Sequence, residues 1–159
     1  MKTCCFTGHR PQFFPWGNDL ADPRSKSLLL ELRKEIRRAI DDGFNTFMCG
    51  GALGVDTWAA QIVLELGQCL ILALPWDSYN TKVSDPTYLA VKNSADKIVV
   101  VSDKRGVPGF TLRDHYMIDH SQRLIAVYDE RSGIRSGTYR ALEYARWKGI
   151  DIKQIRWIG

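Results

Sequence analysis

Two hydrophobic periods alternate along the chain. Short apolar runs recur at Thr3–Phe6, Thr46–Cys49, Cys69–Leu74, Lys97–Val101, Leu124–Tyr128 and Ile152–Trp157, each with the length and side-chain content of a strand. Two stretches, Leu70–Leu74 and Ile98–Val101, are continuously apolar, as strands buried on both faces are. Between the runs the period lengthens. Leu28, Leu29, Leu32, Ile36, Ala39 and Ile40 form a helical stripe that stops at Gly43. Val55, Trp58, Ala59, Ile62, Val63 and Leu66 form a second, closed by Gly67, and Ala141, Leu142 and Ala145 mark a third, closed by Gly149. Apolar residues at this spacing share one face of a helix, and glycine ends it. Shorter helices are predicted over Pro86–Ser94 and Leu112–His120, and two long connections over Thr7–Arg24 and Lys104–Thr111. Long loops in compact domains often carry function.

Strands that alternate with helices predict an α/β fold. The expected architecture is a single-domain, Rossmann-like three-layer sandwich over residues 1–159, with a mostly parallel sheet of about six strands. Its crossovers are expected to be right-handed. Composition narrows the function classes. No apolar run approaches the roughly 18 residues of a membrane span, so no membrane partner is expected. Met1–Phe6 runs straight into a strand-like segment without the charged and long apolar regions of a signal peptide, so the cytoplasm is the expected compartment. Cys4, Cys5, Cys49 and Cys69 lack metal-ligand spacing and read as small buried hydrophobes; no metal site is expected. The net charge of +4 suits an anionic ligand without requiring nucleic acid, because acidic residues are interspersed with the basic ones. Arg33, Lys34, Arg37 and Arg38 alternate with Leu32 and Ile36 and read as a solvated helix face.

Candidate chemistry falls at three strand-to-helix junctions. The first is Gly50-Gly51-Ala52-Leu53-Gly54-Val55-Asp56. Its glycines permit sharp turns and close approach, and the helix start offers N–H groups and a positive dipole end to a phosphate. It is neither a P-loop nor the usual dinucleotide fingerprint. Asp56 would be repelled by a phosphate, so a ribose hydroxyl, a backbone N–H or the helix dipole suits it better. The second junction is Thr7-Gly8-His9-Arg10. Here Arg10 can grip a phosphate with two parallel bonds and His9 can titrate near neutral pH. The third is Ser132-Gly133-Ile134-Arg135-Ser136-Gly137-Thr138, where Ser136 or Thr138 caps a helix or Gly137-Thr138 holds a phosphate. All three would converge on the C-terminal edge of a parallel sheet, where such folds bind ligands. Weaker candidates are Arg113 with Asp119, and Trp76-Asp77.

Together these motifs, with Arg113–Ser121 and the run Leu124–Asp129, resemble the SLOG superfamily, specifically its YpsA-like branch. The resemblance covers most of the chain in order. It implies a Rossmann-like sheet and a nucleotide or nucleotide-derived ligand, with no cofactor required. Some relatives are cytokinin-activating phosphoribohydrolases; others are DNA-processing protein A, which binds single-stranded DNA; YpsA-like proteins of bacteria have been linked to cell division. The phosphoribohydrolase pattern, Pro-Gly-Gly-x-Gly-Thr-x-x-Glu, is broken here. The proline and paired glycines are absent, Ala141 stands where the glutamate belongs, and Glu143 lies two residues further on.

Three functions follow. The first is a sensor or regulatory protein that binds a nucleotide-like, phosphate-bearing small molecule through Thr7, Gly8, His9, Arg10, Gly50, Gly51, Gly54, Asp56, Arg113, Ser136, Gly137 and Thr138. The second is a nucleotide N-glycosidase, for which Asp56, Asp119 and Glu143 are the candidate carboxylates. The third is a single-stranded nucleic-acid binder with Phe13, Phe14 and Trp16 as stacking residues and Arg10 and Arg24 as phosphate contacts. Trp147 and Trp157 hint at a homo-oligomer interface.

Overall fold

The computed structural model describes residues 2–159. Six strands form one parallel sheet: β1 (Lys2–Gly8), β2 (Phe44–Cys49), β3 (Cys69–Leu74), β4 (Lys97–Val100), β5 (Arg123–Val127) and β6 (Asp151–Ile155). Their spatial order is β4-β3-β2-β1-β5-β6. The helices are α1 (Pro23–Asp41), α2 (Val55–Glu65), α3 (Pro86–Ser94), α4 (Gly106–Asp119) and α5 (Gly137–Lys148).

Strand alternation sorts the core into two layers. On β1, Cys4 and Phe6 face α1 and α2, together with Phe47, Leu70, Leu72, Ile125 and Val127 from the other strands. Cys5 points to the opposite layer with Met48, Ala73, Leu124 and Ala126, against Met117 and Ile118 of α4 and Leu142 and Ala145 of α5. This is the three-layer sandwich that period-2 strands between amphipathic helices predict.

Local chemistry sets the helix ends. Asp22 accepts the Arg24 N–H at 2.8 Å and Pro23 opens α1, a residue that loses no needed N–H there. Gly149, at φ 77°, closes α5 in the left-handed conformation that glycine tolerates. Asp129, fully buried, accepts the Trp157 and Ile158 N–H groups at 3.1 and 2.9 Å and pairs with Arg131 at 2.7 Å. It pins the C-terminal segment over the first loop.

Two expectations need correction. Ile98–Val101 is not buried on both faces: β4 is the edge strand, and Ile98 and Val100 are 42% and 44% exposed. The connection expected over Lys104–Thr111 lies largely within α4, which starts at Gly106. Gly106, Pro108 and Gly109 read as a turn, but proline is tolerated in a helix's first turn. At Gly109 a side chain would strike the Lys104 carbonyl and Trp76, so that glycine serves close packing. No helix among the described residues is long and apolar enough to cross a membrane.

Candidate functional site

Strand order reverses between β1 and β5: the chain leaves β1 toward β2 on one side and β5 toward β6 on the other. Loops diverge at such a switch point and leave a crevice beyond the strand ends. A cleft of about 260 Å³ lies there, walled by the β1 end, the first turn of α2, the middle of α4 and the start of α5.

Of the residues expected from sequence, Thr7, Gly8, His9, Arg10, Asp56, Arg113, Ser136, Gly137 and Thr138 line this cleft. Gly50, Gly51 and Gly54 do not; protein atoms take the space around them. A Cβ on Gly50 would sit 2.6 Å from Arg113 Nη1 and 2.7 Å from Asp56 Oδ2. One on Gly54, at φ +88°, would sit 2.5 Å from the His9 carbonyl oxygen. These glycines let α2 approach β1 and let Arg113 and Asp56 enter the site. Asp119 and Glu143 lie outside the cleft. Asp119 ends α4 at the opposite edge of the sheet, where it accepts the Tyr144 hydroxyl at 2.8 Å and pairs with Lys148 at 3.2 Å. Glu143 is an exposed partner of Arg146 at 2.6 Å.

Asp56 is 7% exposed, and its carboxylate accepts the Ala52 N–H at 3.2 Å. Burial pushes its pKa up to about 6, against the pull of Arg113. Arg113, also 7% exposed, donates to the Gly50 carbonyl and, through Nε, to Asp114 at 2.7 Å. Its charge is therefore held in the wall without a direct ion pair to Asp56. Arg10 is exposed at the mouth. Its guanidinium lies 5.2 Å from the Phe110 ring centre and donates weakly to the Tyr79 hydroxyl at 3.4 Å, so it is only lightly tethered. On the third wall Ser136 Oγ accepts the Thr138 N–H at 3.3 Å and meets His9 Nδ1 at 3.2 Å. His9 is buried among the rings of Phe13, Phe14 and Tyr128, and burial lowers its pKa. The α5 cap is the uncharged Ser136 and its first turn carries no acidic residue, so the helix N-terminus has no competing negative charge of its own.

Sequence reasoning passed over Phe110, Asp114, Met117 and Arg140, which also line the cleft. Phe110 and Met117 lie three residues before and four after Arg113 on α4, a helical spacing; Phe110 falls before the helix expected over Leu112–His120, since α4 already starts at Gly106. The nucleic-acid candidates Phe14 and Trp16 are buried in an aromatic cluster, stacked at 4.8 Å and edge-on to Trp157. Phe13 remains 41% exposed, and Arg24 is bound to Asp22 at 2.8 Å. Trp157 belongs to this cluster, whereas Trp147 is 79% exposed.

The geometry has relatives. A profile of the YspA SLOG family matches residues 4–157. A UPF0398 protein of Macrococcus caseolyticus is 26% identical over 139 residues, covering 82% of this chain and 75% of that protein. One from Bacillus thuringiensis is 26% identical over 145 residues, with 82% and 76% covered. Among solved structures, the DNA processing protein A of Helicobacter pylori, described for its single-stranded DNA binding mode, superimposes with a TM-score of 0.68 at 18% identity over 96% of this chain and 64% of that one. The Streptococcus pneumoniae DprA gives 0.63 at 15% identity, over 96% of this chain and half of its own length. At these identities the structural likeness establishes the shared fold.

Proposed function

The chain belongs to the YspA SLOG family, and we propose that its β1/β5 cleft binds a phosphate-bearing, nucleotide-like small molecule as a sensor or regulatory site. One observation carries this reading. A single cleft collects the lightly tethered Arg10, the buried Arg113, the serine-capped start of α5 and one buried carboxylate, Asp56. The two guanidiniums and the helix start suit a phosphate. Asp56 suits sugar hydroxyls, because an ionised carboxylate only accepts hydrogen bonds.

Thermal melting against AMP, ADP, NAD, ADP-ribose, cyclic nucleotides and inorganic phosphate tests it. A ligand at about 100 times its dissociation constant stabilises by about 2.7 kcal/mol, a shift on the order of 5–10 °C. The expected result is a shift with one nucleotide that is lost in Arg10→Ala. No shift with any member overturns the reading.

A second reading, hydrolysis of an N-ribosyl bond, draws on one fact: the Asp56 carboxyl has its pKa at about 6 and lines the cleft, which suits a general acid or base. Release of base from the bound nucleotide, abolished in Asp56→Asn, would support it. Nucleic-acid binding, which the Helicobacter protein's description names for that protein, has weaker support here, since two of the three aromatic candidates are buried.

A further inference from the structure

The two edges of the sheet are finished differently. At β6 and the segment after it the charges are spent within the chain: Asp151 pairs with Arg123 at 2.7 Å and Lys153 at 3.6 Å, and Glu130 holds Gln154 at 2.7 Å and Arg156 at 2.8 Å. Edges blunted by charge resist pairing with another chain. At β4 the edge is apolar. Ile98 and Val100 lie opposite Leu72 and Leu74 in register and are 42% and 44% exposed.

The flanking sequence carries a pattern that the cleft does not use. It reads Asp96-Lys97-Ile98-Val99-Val100-Val101-Ser102-Asp103-Lys104. The segment follows β3 beyond β4 as far as Ser102, whose N–H and that of Val101 reach the Pro75 and Leu74 carbonyls at 3.3 and 2.9 Å, and it bends at Asp103. If it is laid antiparallel on itself with the two-fold axis at Val100, Val99 faces Val101 of the second copy and Ile98 faces Ser102. Lys97 then comes opposite Asp103, the residue at the bend, while the Asp96 carboxylate is held within the protomer by the Leu70 N–H at 2.8 Å. Lys97 and Asp103 find opposite charges, twice by symmetry, and paired residues keep the same face, because the side-chain period is two. A two-fold axis at Val99 instead sets Lys97 against Val101 and Asp96 against Ser102, leaving the charges unmatched. Within the protomer Lys97, Asp103 and Lys104 form no ion pair among the described residues.

We infer that β4 is a self-pairing edge and that a second copy of this chain occupies it, antiparallel about Val100, joining two sheets into one. A self-complementary patch is what a two-fold interface requires.

Light scattering and sedimentation of the full chain from low to high micromolar concentration test this. The expected species has twice the 18.1 kDa chain mass, and Val100→Lys shifts it to monomer. Lys97→Asp weakens association by at least about tenfold, since it sets like charges opposite one another at both symmetric positions. Lys97→Asp with Asp103→Lys restores it, because the swap rebuilds both pairs. Circular dichroism confirms that each variant is folded. A wild-type monomer throughout overturns the inference. So does a dimer that persists in Val100→Lys, or a charge swap that fails to rescue Lys97→Asp. These readouts require no nucleotide and stand apart from the ligand reading.

Discussion

Replacing Asp56 with asparagine should stabilise the protein at alkaline pH and remove part of its pH dependence. The carboxyl is buried, and its pKa rises from 3.8 to about 6 on folding. An acid whose folded pKa is raised binds its proton more tightly in the native state than in the unfolded chain. Its contribution is therefore most favourable below about pH 4 and is lost as pH rises through 6. At about 1.36 kcal/mol per pH unit, that rise makes the ionised carboxylate cost roughly 3 kcal/mol at pH 8 relative to the acid limit. The asparagine amide keeps an oxygen to accept the Ala52 N–H, now held at 3.2 Å, and carries no charge. Urea unfolding of both proteins at pH 4 and pH 8 measures the effect, and the difference between them cancels every other titrating group. The stability of Asp56→Asn relative to wild type should increase by about 2.5 kcal/mol from the lower to the higher pH, or on the order of 5–10 °C in melting temperature. Parallel pH profiles would refute the reasoning. They would mean that water or Arg113 solvates the carboxylate as well as bulk water does.

Other substitutions test separate parts of the structure. Arg10→Ala, at an exposed residue with one weak hydrogen bond, should leave the melting temperature unchanged while weakening the nucleotide by at least about tenfold, the loss of one charge-assisted contact; calorimetric titration reads this. Gly54→Ala should cost about 3 kcal/mol or more, because its Cβ meets the His9 carbonyl oxygen at 2.5 Å and the residue holds φ +88°; urea unfolding reads it. Asp129→Asn should cost on the order of 3 kcal/mol. The Arg131 guanidinium and the backbone N–H groups hold the Asp129 carboxyl well below the usual carboxylate range, so its stabilisation is present above about pH 4 and is lost as pH falls further. That slope is opposite to the one from Asp56, and acid titration of the variant should show it missing.

The sequence revealed the alternation of elements more clearly than their surroundings. Cys69–Leu74 and Pro86–Ser94 begin and end where expected, because Gly67 and Asp85-Pro86 punctuate the pattern sharply. Apolarity misled at β4. A run of Ile98 and valines looks like a central strand, since hydrophobic pattern reports burial without saying whether the chain's own core or a second copy supplies the cover. In the cleft, residues next to strand ends were legible because parallel topology carries those ends to one edge. Residues on helices needed a depth along the helix axis that motif spacing does not give. Arg113 sits mid-helix at the cleft, whereas Asp119, about 9 Å further along at about 1.5 Å per residue, ends at the far side of the sheet. Phe14 and Trp16 belong to an irregular loop, where no periodicity tells a buried ring from an exposed one.

The raised pKa of Asp56 also offers a way to read the ligand's orientation. A phosphate placed against Asp56 is repelled by the carboxylate, so its binding takes up a proton and tightens as pH falls below 6. A ribose placed there does the reverse: its hydroxyls donate to the ionised carboxylate, so binding releases the proton and tightens as pH rises past 6. Arg10 and the start of α5 stand on other walls, whereas Arg113 lies beside Asp56 across Gly50, so the two orientations exchange the phosphate between Asp56 and the Arg10 and α5 walls. The affinity of a bound nucleoside monophosphate should therefore rise between pH 5 and pH 8, and in Asp56→Asn the rise should shrink to what the phosphate's own ionisation contributes. Phosphate ionises near pH 6 as well, and the variant separates that contribution because it persists when Asp56 is gone. An affinity that falls over this range in wild type but not in Asp56→Asn would place the phosphate against Asp56 and refute its assignment to Arg10 and the start of α5.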